Sequence, residues 1–116
     1  VRETMERFAQ EGNAVIVGRG GQIVLRDWPG ALHIHIYAPL PVRIERVKER
    51  YGVSELEAKR RVSGSDERKR WYVRQAHRNA NWKDLKHYHL AINTAHISPE
   101  TVAEMIITAV NGLEEK

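Results

Sequence analysis

Val1, Met5 and Phe8 recur at helical spacing and Gly12 stands where a left-handed glycine closes a helix, so the opening predicts a helix over residues 1–12. Ala14 to Val17 is a short, continuous, largely β-branched apolar run ended by Gly18. That pattern predicts a strand buried on both faces. Gln22 to Arg26 has the length of one helical turn before the punctuation of Trp28-Pro29-Gly30. Leu32, Ile34 and Ile36 then alternate with His33, His35 and Tyr37, which predicts a strand over 32–37.

Pro41 suits a first helical turn, and Ile44, Val47 and Tyr51 give an apolar stripe up to Gly52. Ser54-Glu55-Leu56-Glu57 has capping-box form and opens a basic helix running to about His77, with little apolar surface to bury. Residues 79–87 read as irregular and His89 to Asn93 as a third strand. Ser98-Pro99 starts the last helix, whose stripe of Val102, Met105, Ile106, Ala109, Val110 and Leu113 predicts a core-facing side. Helices interleaved with strands imply α/β layering on a mostly parallel sheet, in a single domain spanning 1–116.

Composition narrows the classes. Of 116 residues, 41% are hydrophobic and 29% charged, which excludes a disordered or fibrous chain. No apolar run reaches the roughly 18 residues that cross a bilayer, and no signal-peptide order is seen. With no cysteine there is no disulfide framework and no thiolate metal site, and a cytoplasmic location is expected. A formal charge of +4 favours acidic partners such as nucleotides or nucleic acid. The sequence starts at Val1 rather than Met, so upstream sequence is expected.

Three segments carry candidate chemistry. Gly18-Arg19-Gly20-Gly21 offers unobstructed backbone N–H groups beside a guanidinium, a combination suited to phosphate or carboxylate, although a simple tight turn reads the same way. Asp66-Glu67-Arg68-Lys69-Arg70-Trp71-Tyr72-Val73-Arg74 concentrates cations on one helix, either as a solvated face or as an anion-seeking one. His33 and His35 point the same way from a strand, but no third ligand is spaced near them and no metal is assigned. Trp82 either anchors its loop or borders a pocket with Asp84, Tyr88 and His89.

Taken in order, Val15 to Gly21, Leu32 to Pro39, Arg43-Ile44-Glu45-Arg46, Asp66 to Arg74, Trp82 with Asp84, and Tyr88 to Thr94 before Ser98-Pro99-Glu100 resemble the cytidylate kinase-like family. The resemblance covers roughly residues 1–113. It implies the three-layer P-loop kinase fold and transfer of the γ-phosphoryl of Mg2+-bound ATP to CMP, dCMP or a related acceptor. It implies that Arg19, between Gly18 and Gly20, holds the acceptor phosphate and that residues 54–78 are a lid. Arg46 then lies at the lid base, and Arg68 and Arg70 reach the transferring phosphoryl, with Lys69 the alternative lid cation. Asp66 orients a lid arginine or touches the acceptor.

Two departures qualify that expectation. Bacterial members carry Asp-Gly-Arg-Asp where this chain has Val17-Gly18-Arg19-Gly20, so both carboxylates are lost. The phosphate cradle Gly-x-x-x-x-Gly-Lys-Ser/Thr occurs nowhere in 1–116, so no catalysis is expected of these residues alone. In the family, the strand that leads into that cradle lies between the strands corresponding to 14–17 and 32–37. A gap is therefore expected there, to be filled by upstream sequence, a second chain or a swapped protomer. Two other readings stay open: a nucleotide-sensing relative without activity, and a small basic nucleic-acid-binding module using Trp71 or Tyr72 as a stacking surface.

Overall fold

The computed structural model describes residues 2–18, 20–77, 81 and 83–113. Val1, Arg19 and Trp82, singled out above, lie outside the described residues. Among the described residues, five helices and two strands follow one another as α1 (Arg2–Glu11), α2 (Gly21–Val24), β1 (Ile34–Tyr37), α3 (Leu40–Tyr51), α4 (Glu55–Ala76), β2 (Leu90–Asn93) and α5 (Pro99–Asn111). A single 3-10 turn, Leu85–His87, precedes β2.

The helix ends are local chemistry. Gly12 takes φ +78° and its N–H reaches the Phe8 carbonyl at 3.1 Å, closing α1 as a left-handed cap. Gly52 closes α3 in the same way, with φ +61°. Ser54 accepts the Glu57 N–H at 3.2 Å, while the Glu57 carboxylate accepts from Arg61 one turn on, so half of the capping box forms. Ser98 caps α5 by accepting from Thr101 N–H at 3.2 Å.

β1 and β2 run parallel, pairing Ile34 with Leu90, His35 with Ala91, Ile36 with Ile92 and Tyr37 with Asn93. Beyond the ladder, Thr94 N–H donates to the Tyr37 carbonyl at 2.8 Å. The crossover between the strands contains α3 and α4, whose apolar faces meet around Ile44, Ala58 and Val62, with Val47 and Val53 at the margin. Ala58 is fully buried there. Val73, near the far end of α4, is also buried, so the basic helix buries more than its sequence suggests.

Ala14–Val17 does not form the expected strand. Val15 is 91% and Val17 87% exposed. A strand exists only through its ladder, and among the described residues no strand lies beside this segment. Ile16 alone turns inward, its Cγ2 lying over Gly21. The α5 stripe is likewise covered only in part. Val102 is buried, whereas Met105 and Val110 are exposed, because two strands present too little surface to cover a four-turn helix.

Candidate functional site

In parallel α/β sheets, ligands bind beyond the carboxyl ends of the strands, where loops and helix starts converge. At that end of β1, Ala38-Pro39 leads into α3, and Arg43 on the first turn of α3 folds back so that its Nε donates to the Ala38 carbonyl at 3.0 Å. Its Nη1 donates to both carboxylate oxygens of Asp66, at 3.0 and 2.9 Å. The two side chains are one-third and one-fifth exposed. One guanidinium therefore ties the strand end to the middle of α4.

Arg46, one turn along α3, reaches the end of β2. Nη1 donates to Thr94 Oγ1 at 2.9 Å and Nη2 to the Thr94 carbonyl at 2.6 Å. Thr94 Oγ1 in turn donates to the Tyr37 carbonyl at 3.3 Å. Arg43 and Arg46 thus hold the two strand ends from the same helix and bring positive charge to them.

Along α4, Ala58, Val62, Asp66, Lys69 and Val73 recur every third or fourth residue and share one side of the helix, with Ala58, Val62 and Val73 buried, Asp66 half-buried and Lys69 exposed. Lys69 is close enough for its charge, together with that of Lys83 and with burial, to hold the His35 imidazole below its ordinary pKa; burial is the largest cause. His35 is stacked between Tyr37 and Tyr88, at ring separations of 5.3 and 4.9 Å. Burial raises the Tyr88 phenol.

The other predicted residues fall nearby but not together. Arg68 and Arg70 flank Lys69 on the exposed sides of α4, and the Arg68 guanidinium lies over Gly64, with Nη1 3.2 Å from where a Cβ would stand. Asp66 faces Arg43 rather than either of them. Gly18 and Gly20 both take positive φ, +76° and +75°. Gly20 is buried against the His77 ring at the end of α4, so the glycine loop touches the end of the predicted lid. Arg43 and His77 were missed in the sequence because their partners are far away along the chain. The one signal for Arg43 was its place one turn before Arg46, directly after a strand.

At the amino ends of β1 and β2, His33 N–H donates to His89 Nδ1 at 2.9 Å and the two rings stack at 5.2 Å. His33 Nε2 is 2.9 Å from the Leu25 carbonyl and must carry the proton to bond it. Burial, the largest cause, and the neighbouring His89 lower the His33 pKa, against the opposing bond to Leu25.

The donor set suits anionic oxygen: guanidinium, ammonium and backbone N–H groups dominate. Among the described residues no three His, Asp or Glu side chains converge to hold a metal ion. Asp66 has both carboxylate oxygens engaged by Arg43. Among the described residues no helix is long and apolar enough to cross a membrane.

Comparison with known proteins places this α/β frame in a family. The cytidylate kinase-like family model matches residues 1–96, and the chain belongs to that family. It is 35% identical to a cytidylate kinase of Pyrococcus horikoshii over 107 residues, covering 91% of this chain and 54% of that protein. A cytidylate kinase of Pyrococcus abyssi is 34% identical over 109 residues, covering 93% and 58%. A protein of Corynebacterium glutamicum named uronate isomerase is 32% identical over 108 residues, which cover 91% of this chain and 20% of that protein. The chain thus spans little more than half the length of the two cytidylate kinases and a fifth of the third relative.

Proposed function

We propose that these residues form the acceptor-loop and lid portion of a cytoplasmic nucleoside monophosphate kinase that moves the γ-phosphoryl of ATP to CMP, dCMP or a close relative. The carrying observation is that Arg43 and Arg46 of α3 gather at the carboxyl ends of β1 and β2 while α4, with Arg68, Lys69 and Arg70, is tied to that place through Asp66. Membership of the cytidylate kinase-like family supports reading that cationic cluster as nucleotide-facing.

Phosphoryl transfer is chiefly positioning and neutralisation of charge. In this reading Arg19, between two glycines in left-handed conformations, holds the acceptor phosphate. Arg46 fixes the lid base. Arg68 and Arg70, or Lys69 between them, approach the transferring group when α4 moves. Mg2+ bound with ATP would supply neutralisation of the charge that develops on the transferring phosphoryl. The Gly-x-x-x-x-Gly-Lys-Ser/Thr cradle, absent from 1–116, comes from sequence beyond these residues, a second chain or a swapped protomer. The same partner supplies the strand that covers Ala14–Val17.

The test is a coupled assay on the full-length protein with ATP, Mg2+ and each nucleoside monophosphate in turn. Turnover with CMP or dCMP, absent for residues 1–116 alone, is expected. Binding of CMP without turnover by the full-length protein would instead support an inactive nucleotide sensor. A second reading rests on Trp71, 65% exposed on α4 beside Arg70 and one turn from Arg68 and Arg74. An exposed aromatic among cations is a stacking surface for single-stranded nucleic acid. Tight oligonucleotide binding with a steep salt dependence, and no response to CMP, would favour that reading.

A further inference from the structure

Gly20 is buried, holds φ +75°, and turns the face where a side chain would stand toward the Nε2–Cδ2 edge of the His77 imidazole. A methyl group built there would overlap both atoms. The contact joins two segments that are remote in sequence: the turn that opens α2 and the residue that ends α4. His77 is itself fixed at that end, its N–H donating to the Val73 carbonyl at 2.9 Å and its ring meeting Tyr72 edge-on at 6.3 Å.

We propose that His77 is a positioning residue that couples the glycine loop to the lid, so that an acceptor phosphate held by the loop sets the place of the α4 cations. This rests on the acceptor-loop reading given above. The mechanical reason lies in how α4 is held. Its first two turns are anchored to α3 through Ala58 and Val62. Ser63-Gly64-Ser65 follows, a run of weak helix formers of the kind at which helices bend. Beyond that run, Arg68, Lys69 and Arg70 stand between two attachments: Asp66 to Arg43 on one side, Val73 and His77 against the rest of the fold on the other.

The loop end of the linkage is equally defined. The Gly20 carbonyl accepts from the N–H groups of Ile23 and Val24, so Gly20 cannot shift without moving α2. A ligand that draws the loop closed therefore acts on His77, and through it on the distal half of α4. Gly20 is required twice over, by its left-handed backbone and by the imidazole lying on it.

The experiment uses the full-length protein as wild type, His77→Ala, Gly20→Ala and the double variant. Thermal unfolding without ligand tests the contact. The Gly20→Ala methyl has no imidazole to meet in the double variant, so the double variant is expected to lose clearly less stability than the two single losses added together. Hydrogen exchange with and without CMP tests the transmission. Wild-type protein is expected to gain protection both around residues 20–24 and along 66–77, and His77→Ala only around 20–24. Turnover should fall at least about tenfold in His77→Ala with acceptor affinity changed less than about threefold, as for a misplaced rather than a missing ligand.

Additive stability losses, or equal gains along 66–77 in wild type and His77→Ala, would overturn the proposal. Failure of the functional reading looks different: wild-type protein would then show no calorimetric binding of CMP at all. In that event inorganic phosphate and pyrophosphate serve as probes of the loop. Protection of 66–77 by either, abolished by His77→Ala, keeps the coupling, and its absence removes it.

Discussion

Arg43 gives one nitrogen, Nη1, to both oxygens of Asp66 and another, Nε, to the Ala38 carbonyl, so the end of β1, the start of α3 and the middle of α4 share one guanidinium. The pair spans 23 positions of sequence and is partly open to water. Screening limits what such a pair contributes to stability. A double-mutant cycle of Arg43→Ala and Asp66→Ala should give a coupling of about 0.5–1 kcal/mol, at the upper end for an exposed pair. Its effect on the proposed reaction should be larger. Asp66→Asn, which keeps the shape and removes the charge, should lower turnover more than it lowers stability. Equal, small effects on both would show that α4 finds its place without this link.

His33 gives the fold a pH dependence of known sign. Its pKa is lowered in the folded chain from an ordinary 6.5, chiefly by burial, so the unfolded chain binds a proton more readily than the native one. The stabilisation is fully present above about pH 6.5 and is lost as pH falls below it toward the folded value. His35 acts in the same direction, through burial and the charges of Lys69 and Lys83. The melting temperature should therefore fall between pH 7.5 and pH 5, and His33→Gln should flatten that fall. A melting temperature that rises on acidification would mean that the burial of His33 does not persist in solution.

Arg19 follows Gly18, which takes φ +76° and has nothing within 4 Å of where a side chain would stand, so a ligand has room to approach on that side. Arg19→Ala in the full-length protein should weaken CMP binding by about 1.5–3 kcal/mol, the worth of a hydrogen bond to a charged group. Cytidine, which has no phosphate, should be affected far less. Calorimetry with both ligands separates a phosphate contact from a general disturbance of the loop, which would weaken the two equally.

These expectations divide by the range of the interactions behind them. Gly12, Gly52, Ser54 and Ser98 act on residues within a turn, so their roles as helix ends are legible in sequence and present in the structure. The strands at 32–37 and 89–93 are also legible, although each ladder is trimmed to four residues. Parallel pairing of these two segments follows from the helices between them. The site was harder to read. Nothing local marks Arg43 as the partner of Asp66 or His77 as the neighbour of Gly20, because each contact depends on how α4 lies across the fold. Sequence pattern alone also mistook Ala14–Val17, where a buried-strand composition describes a surface that a neighbour must cover.

Val15 and Val17 supply the last prediction, since their exposure of 91% and 87% disagrees with their chemistry. Both are β-branched residues of high strand propensity, flanked by glycine and without a ladder among the described residues. An exposed apolar edge of this kind pairs readily with another chain. If the segment stays open, Val15→Lys should leave the unfolding free energy of the full-length protein within about 0.5 kcal/mol of wild type, as for an ordinary surface position. If a strand from the proposed remaining part covers it, the same substitution buries an ammonium group and should cost several kcal/mol. The second outcome is expected. Residues 1–116 alone should then show the opposite response, with Val15→Lys leaving stability unchanged and reducing self-association in sedimentation. Equal tolerance of Val15→Lys in both forms would mean that no strand completes the sheet at this edge.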